Sequence, residues 1–283
     1  MPPKQRILSV EEHSRNSAGM TYVYPVVSRR ARGVSIGINL NPNNACNWQC
    51  VYCQVPGLVR GGPPPLDMAL LRNELDIFLN EISSGHFMHE QVAPGSQVLQ
   101  DVAFSGNGEP TTAIEFSQAV DVVMDMLRKH SLLGKIKLRL ITNGSQVDKA
   151  AVKNGLRKLA TGNGEVWFKL DAANVGGLAK INGVRISPDA HLRRLRLCAD
   201  LCPTWVQSCF FMRNGEPPTA MEIDAYITAV EQVADVVAGV HLYGLARLSM
   251  QPEANLLGRL PKAWFDLLAD RLKIMGLEVT INP

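Results

Sequence analysis

The chain has 283 residues, 46% of them hydrophobic and 19% charged, which is enough for one large domain with a sizeable core. A net charge of +3 and a pI near 8.5 fall short of the basic face expected of a dedicated nucleic-acid binder. The leading segment MPPKQRILSV has no apolar stretch and no run of about 20 apolar residues follows, so the expectation is a cytoplasmic protein that does not enter a membrane.

In chain order, residues 1–34 read as an N-terminal arm and 35–283 as one domain. Strands are predicted at 35–40, 101–105, 136–142, 165–171, 204–211 and 239–246, all short runs of β-branched or apolar residues. Helices are predicted to begin near Leu66, Ile114, Val147, Pro188, Thr219 and Pro261. Ser187 before Pro188 fits an N-cap followed by the first helical position, and Asp148 or Ser145 is the candidate cap of the third helix. Six βα repeats imply a single-domain α/β fold around a parallel sheet, a partial (β/α)6 TIM-like barrel.

Side chains on a barrel strand alternate between the lumen and the helix layer. On the fourth strand this separates Val166, Phe168 and Leu170 from Trp167, Lys169 and Asp171. The same parity assigns Lys137, Arg139 and Asn143, Gln207 and Cys209, His241, Tyr243 and Arg247, and Ser35 and Asn39 to the lumen. Closed barrels usually fill that space with branched apolar side chains, so a polar lumen points to a bound ligand. Its lysines and arginine suit an anionic group.

Immediately after the first strand comes CNWQCVYC, with Cys46, Cys50 and Cys53 spaced C-x3-C-x2-C. Six cysteines in a reducing compartment favour metal binding or catalysis over disulfides. Three thiolates within eight residues can wrap one iron–sulfur cluster, and three ligands for four irons leave one iron open. The alternative is a zinc site completed by His86 or His89. The second strand ends in SGNGEP, Ser105 to Pro110, where glycines allow close backbone approach and Glu109 offers a carboxylate to an ammonium.

The cysteine loop, with Tyr52 as its aromatic, resembles the C-x3-C-x-aromatic-C signature of the radical S-adenosylmethionine (radical SAM) superfamily. That resemblance implies a [4Fe-4S] cluster on Cys46, Cys50 and Cys53. It implies that SAM chelates the open iron and is cleaved reductively to a 5′-deoxyadenosyl radical, and that a reductant protein such as flavodoxin or ferredoxin supplies the electron. SGNGEP resembles the family's GGEP motif for the SAM amine, with Asn107 in place of the first glycine and with Gly108 and Glu109 carried over. Asn143 in ITNGS and Asp171 in KLDA stand at strand ends, where each is either a contact to SAM or a turn residue.

The stretch YPVVSRRARGVSIGINLNP, with CVYC and SGNGEPT, is similar to one radical SAM subgroup, the wybutosine-synthesis-like enzymes. That subgroup carries a second cluster on upstream cysteines, and here none precedes Cys46. The expected substrate is therefore unidentified but polar, an RNA nucleoside first among its classes, then a peptide or small metabolite. A non-catalytic iron–sulfur or zinc protein is the rival. Cys198, Cys202 and Cys209 are read as core packing, with an auxiliary cluster as the alternative. Arg29 and Arg30, just before the first strand, are candidates for anion binding at the barrel mouth.

Overall fold

The computed structural model describes residues 7–8, 18–28 and 33–283. Arg29 and Arg30 lie outside them. Twelve strands occur among the described residues: β1 (Val23–Ser28), β2 (Gly33–Asn39), β3 (Ala45–Cys46), β4 (Val59–Arg60), β5 (Leu99–Ser105), β6 (Lys137–Thr142), β7 (Gly164–Lys169), β8 (Thr204–Cys209), β9 (Met212–Arg213), β10 (Gly239–Tyr243), β11 (Leu257–Gly258) and β12 (Glu278–Asn282). Eight of them form one curled sheet in the order β1-β2-β5-β6-β7-β8-β10-β12. Every neighbour pair is parallel except β1 with β2, which gives the half-open barrel anticipated from the βα repeats.

The outer face of that sheet is apolar for the reason parity gives. Ile36, Ile38, Val102, Phe104, Leu138, Leu140, Val166, Phe168, Val206, Val240 and Leu242 are all fully buried. Each such side chain contributes about 1.5–3 kcal/mol on leaving water. They pack under α1 (Met68–Ser83), α2 (His86–Gln91), α3 (Phe116–Lys129), α4 (Ala150–Thr161), α6 (Pro188–Leu201), α7 (Ala220–Glu231) and α8 (Lys262–Lys273), while α5 (Val175–Asn182) packs through Ile181 on the cysteine loop. No helix among the described residues is long and apolar enough to cross a membrane.

Helix starts follow local chemistry. Ser187 caps α6 with Pro188 at its first turn, and Thr219 and Glu222 form a capping box on α7. Neither Asp148 nor Ser145 caps α4, whose N-cap is Lys149 without a side-chain bond. Asp148 is instead taken by Arg194 at 2.6 Å, and Ser145 accepts from Asn47 at 2.6 Å.

The sheet is wider than the six predicted strands. Part of the expected arm, Val23–Ser28, is β1 at one edge, where Pro25 is tolerated because only one side of the strand is paired. Tyr24 on β1 lies over Gly37, where any Cβ would sit 2.1 Å from its ring. At the other edge β12 adds a strand after the last helix.

Candidate active site

The cysteine loop is fastened to the barrel mouth mainly by its backbone. Gln49 N–H donates to Asn182 O at 3.0 Å and Val51 N–H to Ile181 O at 2.9 Å, so the end of α5 grips one side. On the other side Ser249 Oγ donates to Val51 O at 2.6 Å and Gln251 Nε2 to Val55 O at 2.9 Å. The β3–β4 pair closes the loop's base.

SGNGEP is buttoned to the same loop. Asn107 donates its side-chain amide to Asn44 Oδ1 at 2.7 Å and its backbone N–H to Asn39 Oδ1 at 3.0 Å. A Cβ on Gly108 would meet Ala45 O at 2.1 Å, so the glycine is required by contact with the cysteine loop. Glu109, 3% exposed, accepts from Thr111, from Thr142 Oγ1 at 2.6 Å and from Asn143 N–H at 2.6 Å. Burial pushes its pKa up, and those donors pull it back. Its carboxylate is thus mostly engaged within the protein, and it ties the ends of β5 and β6 together.

Cys46, Cys50, Cys53, Tyr52, Gly108, Glu109 and Asn143 all border one cavity of about 300 Å³ that runs down the lumen. Asn143 is 4% exposed; its Nδ2 donates to Asn47 Oδ1 at 2.9 Å, another tie to the cysteine loop. The three thiols stand around this space, and among the described residues no three His, Cys, Asp or Glu side chains gather to hold a single ion. Burial pushes the thiols of Cys46 and Cys50 up to about 11 and about 12, so they become thiolates only against a strong positive partner. N–H groups already face two of the sulfurs, Trp48 N at 3.4 Å from Cys46 Sγ and Asn182 Nδ2 at 3.2 Å from Cys50 Sγ. Thiolate donors spread around a cavity and solvated by N–H groups fit a multi-iron cluster. They do not fit a zinc site completed from α2: His86 pairs with Glu90 at 3.1 Å with 74% of its side chain exposed, and neither His86 nor His89 borders the cavity.

Asp171 corrects a sequence expectation. β7 ends at Lys169, so strand parity does not reach it, and it stands behind the cysteine loop without bordering the cavity. There it accepts from the Tyr52 phenol, from Asn182 Nδ2 at 2.7 Å and from Cys209 N–H at 2.9 Å. Burial, then the Asp171 charge, keeps the Tyr52 phenol protonated as a donor. Lys169 reaches Tyr52 Oη at 2.6 Å and lies 3.8 Å from Asp171. Burial disfavours its ammonium, but Asp171 together with Tyr243, Cys50 and Cys209 outweighs burial and holds the lysine well above its usual range.

The polar lumen is present: Ser35, Arg139, Trp167, Lys169, Gln207, Cys209, Tyr243 and Arg247 border the cavity. Three of the cations assigned to it are already engaged by acids. Arg139 is clamped between Asp101 and Glu165, Lys137 lies 3.6 Å from Glu165, and Lys169 has Asp171. Asp101 and Glu165 lie on β5 and β7, the two strands that flank Arg139 on β6, and strand parity extended to β5 assigns Asp101 to the lumen. Cys198 and Cys202 belong to the main apolar core, whereas Cys209 faces the cavity, so these three do not form a second thiolate set.

His191 packs on Trp48 and Phe168 and shares Nε2 with Lys169 O at 2.9 Å. Burial, helped slightly by Arg194, lowers its pKa to about 4 against the opposing hydrogen bond to Lys169 O and the Asp171 charge. A histidine whose folded pKa is depressed takes up its proton in the unfolded chain first. Stability is therefore expected to be full above about 6.5 and to fall by about 3 kcal/mol as pH drops towards 4. Urea unfolding of wild type and His191→Gln across that range measures this, and equal slopes in both would contradict it.

No protein-family model matches the chain. The UPF0026 protein MJ1312 of Methanocaldococcus jannaschii is 28% identical over 156 residues, 55% of this chain and 42% of that protein. GTPase Obg of Brachyspira hyodysenteriae is 27% identical over 124 residues, 41% of this chain and 16% of that protein. The chain thus spans less than half the length of either curated relative, and its sequence has no G-x4-G-K-S/T phosphate loop. Among solved structures, a radical SAM methyltransferase from Sphaerobacter thermophilus superposes with a TM-score of 0.62 at 12% identity, covering 92% of this chain and 68% of that one. TYW1 with a lysine–pyruvate adduct bound gives 0.58 at 14%, covering 93% and 78%. Streptococcus suis SuiB bound to S-adenosylmethionine gives 0.55 at 11%, covering 90% and 49%. At these identities the likeness is one of fold: the chain has the partial barrel carried by radical SAM enzymes.

Proposed function

We propose that this chain is a radical SAM enzyme, with Cys46, Cys50 and Cys53 as the ligands of a [4Fe-4S] cluster whose fourth iron takes SAM. The observation that carries the reading is that the three thiols, the SGNGEP loop and a polar lumen border one cavity. A non-catalytic cluster carrier has no use for that cavity. When bound, the cluster and SAM supply the electron and the 5′-deoxyadenosyl group with which hydrogen is abstracted from a substrate. The chain's own residues hold the loop that places them: Asp171 fixes Tyr52, Glu109 fixes Thr142 and Asn143, and Asn107 locks the two loops together. A flavodoxin or ferredoxin is the proposed reductant, and the cytoplasm, where thiols stay reduced, is the proposed location.

For the substrate, Arg139, Lys137 and Lys169 have acidic partners, so an uncharged polar group suits that part of the lumen better than an anion. Trp167 and Tyr243 line the cavity with aromatic surface and Gln207 with an amide, which is compatible with a nucleoside base of RNA. A peptide amide meets the same chemistry.

Glu109→Ala tests the SAM side of the reading. It removes one acceptor from several buried donors, at about 1–3 kcal/mol, while leaving the thiols in place. In anaerobically loaded protein, equilibrium dialysis should show SAM affinity weakened about ten- to hundredfold with iron content unchanged. Undiminished affinity would remove SGNGEP from the SAM site.

A further inference from the structure

Asn182 closes α5 and is completely buried, with an amide placed between two acceptors. Nδ2 lies 3.2 Å from Cys50 Sγ and 2.7 Å from Asp171 Oδ2. The amide has two hydrogens on that nitrogen, one for each. Asp171 fixes which way the amide is turned, because the opposite flip would set an amide oxygen against a carboxylate. Oδ1 is left buried without a hydrogen-bond partner, a cost retained in exchange for holding the nitrogen at the sulfur. The residue's main chain has a separate task, since its carbonyl accepts from Gln49 N–H and grips the cysteine loop. A side-chain substitution therefore removes the N–H···S bond and leaves that grip.

We infer that Asn182 sets the reduction potential of the cluster on Cys46, Cys50 and Cys53 by hydrogen bonding to the Cys50 sulfur, an inference that rests on the function proposed above. Hydrogen bonds to cluster sulfurs are one of the terms that set such potentials. A donor at a ligand sulfur stabilises the more negative, reduced cluster and raises the potential. The Trp48 N–H at Cys46 acts in the same sense, but it is main chain and only proline at that position would remove it. Asn182 is thus a positioning and tuning residue, and it touches no substrate.

The test is a potentiometric EPR measurement on anaerobically loaded protein without SAM, comparing wild type with Asn182→Leu and Asn182→Asp. Both variants should retain the wild-type iron content. At a fixed poise, Asn182→Leu should raise the oxidised-to-reduced ratio about tenfold, a midpoint about 59 mV more negative for a one-electron couple. Asn182→Asp, whose carboxyl shares one proton with Asp171 and offers no N–H to the sulfur, should move it in the same direction. A loaded Asn182→Leu variant within twofold of wild type overturns the inference. So does loss of the cluster from both variants, which would make the side chain a structural support. A wild-type chain that takes up no four-iron cluster overturns the functional reading itself, and this inference with it.

Discussion

Replacing Cys50 with alanine is expected to take iron content after anaerobic reconstitution from about four per chain to fewer than about one, and SAM cleavage to background. Cys50 is the middle thiol of the loop, 9% exposed, with Asn182 turned towards its sulfur. The substitution deletes one of only three protein ligands while removing a single heavy atom, so the chain keeps its fold. Loop geometry is set by backbone bonds from Gln49, Val51 and Cys53, none of which needs the sulfur. Cys198→Ala is the matched comparison. That thiol is fully buried in the main core beside Thr204 Oγ1 at 3.6 Å, and its loss should leave the iron content unchanged. Equal loss of iron in both variants would mean that the two cysteine groups share a metal site after all.

Asp171→Ala is expected to produce the largest loss of stability, about 3–5 kcal/mol. The carboxylate is completely buried and has four partners: the Tyr52 phenol, Asn182 Nδ2, Cys209 N–H and, at 3.8 Å, the Lys169 ammonium. Its removal leaves a cation with only 18% of its side chain exposed and no acid beside it. Breaking a buried pair from one side costs more than removing both members. Combining Asp171→Ala with Lys169→Met should therefore cost less than the sum of the two single changes. Urea denaturation of the three variants measures this, and a loss under about 1 kcal/mol for Asp171→Ala would show that water reaches the site. Because Asp171 holds Tyr52 and Asn182, the single variant should also retain its cluster less well.

Much of the fold was legible because it is periodic. The six predicted strands fall on β2, β5, β6, β7, β8 and β10, and strand alternation separated a buried apolar face from a polar set most of which borders the cavity, Asn39, Lys137, Asp171 and His241 excepted. Elements without such a signal were missed. In α5, Gly176 and Gly177 sit inside a helix of only eight residues, started by Asn174 accepting from Gly177 N–H at 2.7 Å. β1 carries Pro25 and is a strand only because β2 pairs with it.

At the site, the cysteine loop and SGNGEP could be read from local spacing, since each is a single segment. What could not be read was pairing across strands. Lys137 and Arg139 looked available to an anion because Asp101 and Glu165 are distant in sequence, and only the parallel register brings Arg139 beside Glu165. Asp171 looked like a ligand contact because the strand was drawn two residues too long. Asn182 gave no signal at all, because its role depends on the fold carrying α5 to the back of Cys50.

The central claim, that this chain cleaves SAM reductively at a cluster on Cys46, Cys50 and Cys53, is tested most directly by product analysis. Wild-type protein reconstituted anaerobically with iron and sulfide, then given SAM and a strong reductant, should form 5′-deoxyadenosine, and Cys50→Ala should form none. A wild-type chain carrying a full four-iron cluster that yields no 5′-deoxyadenosine, with or without added cell extract, would contradict it.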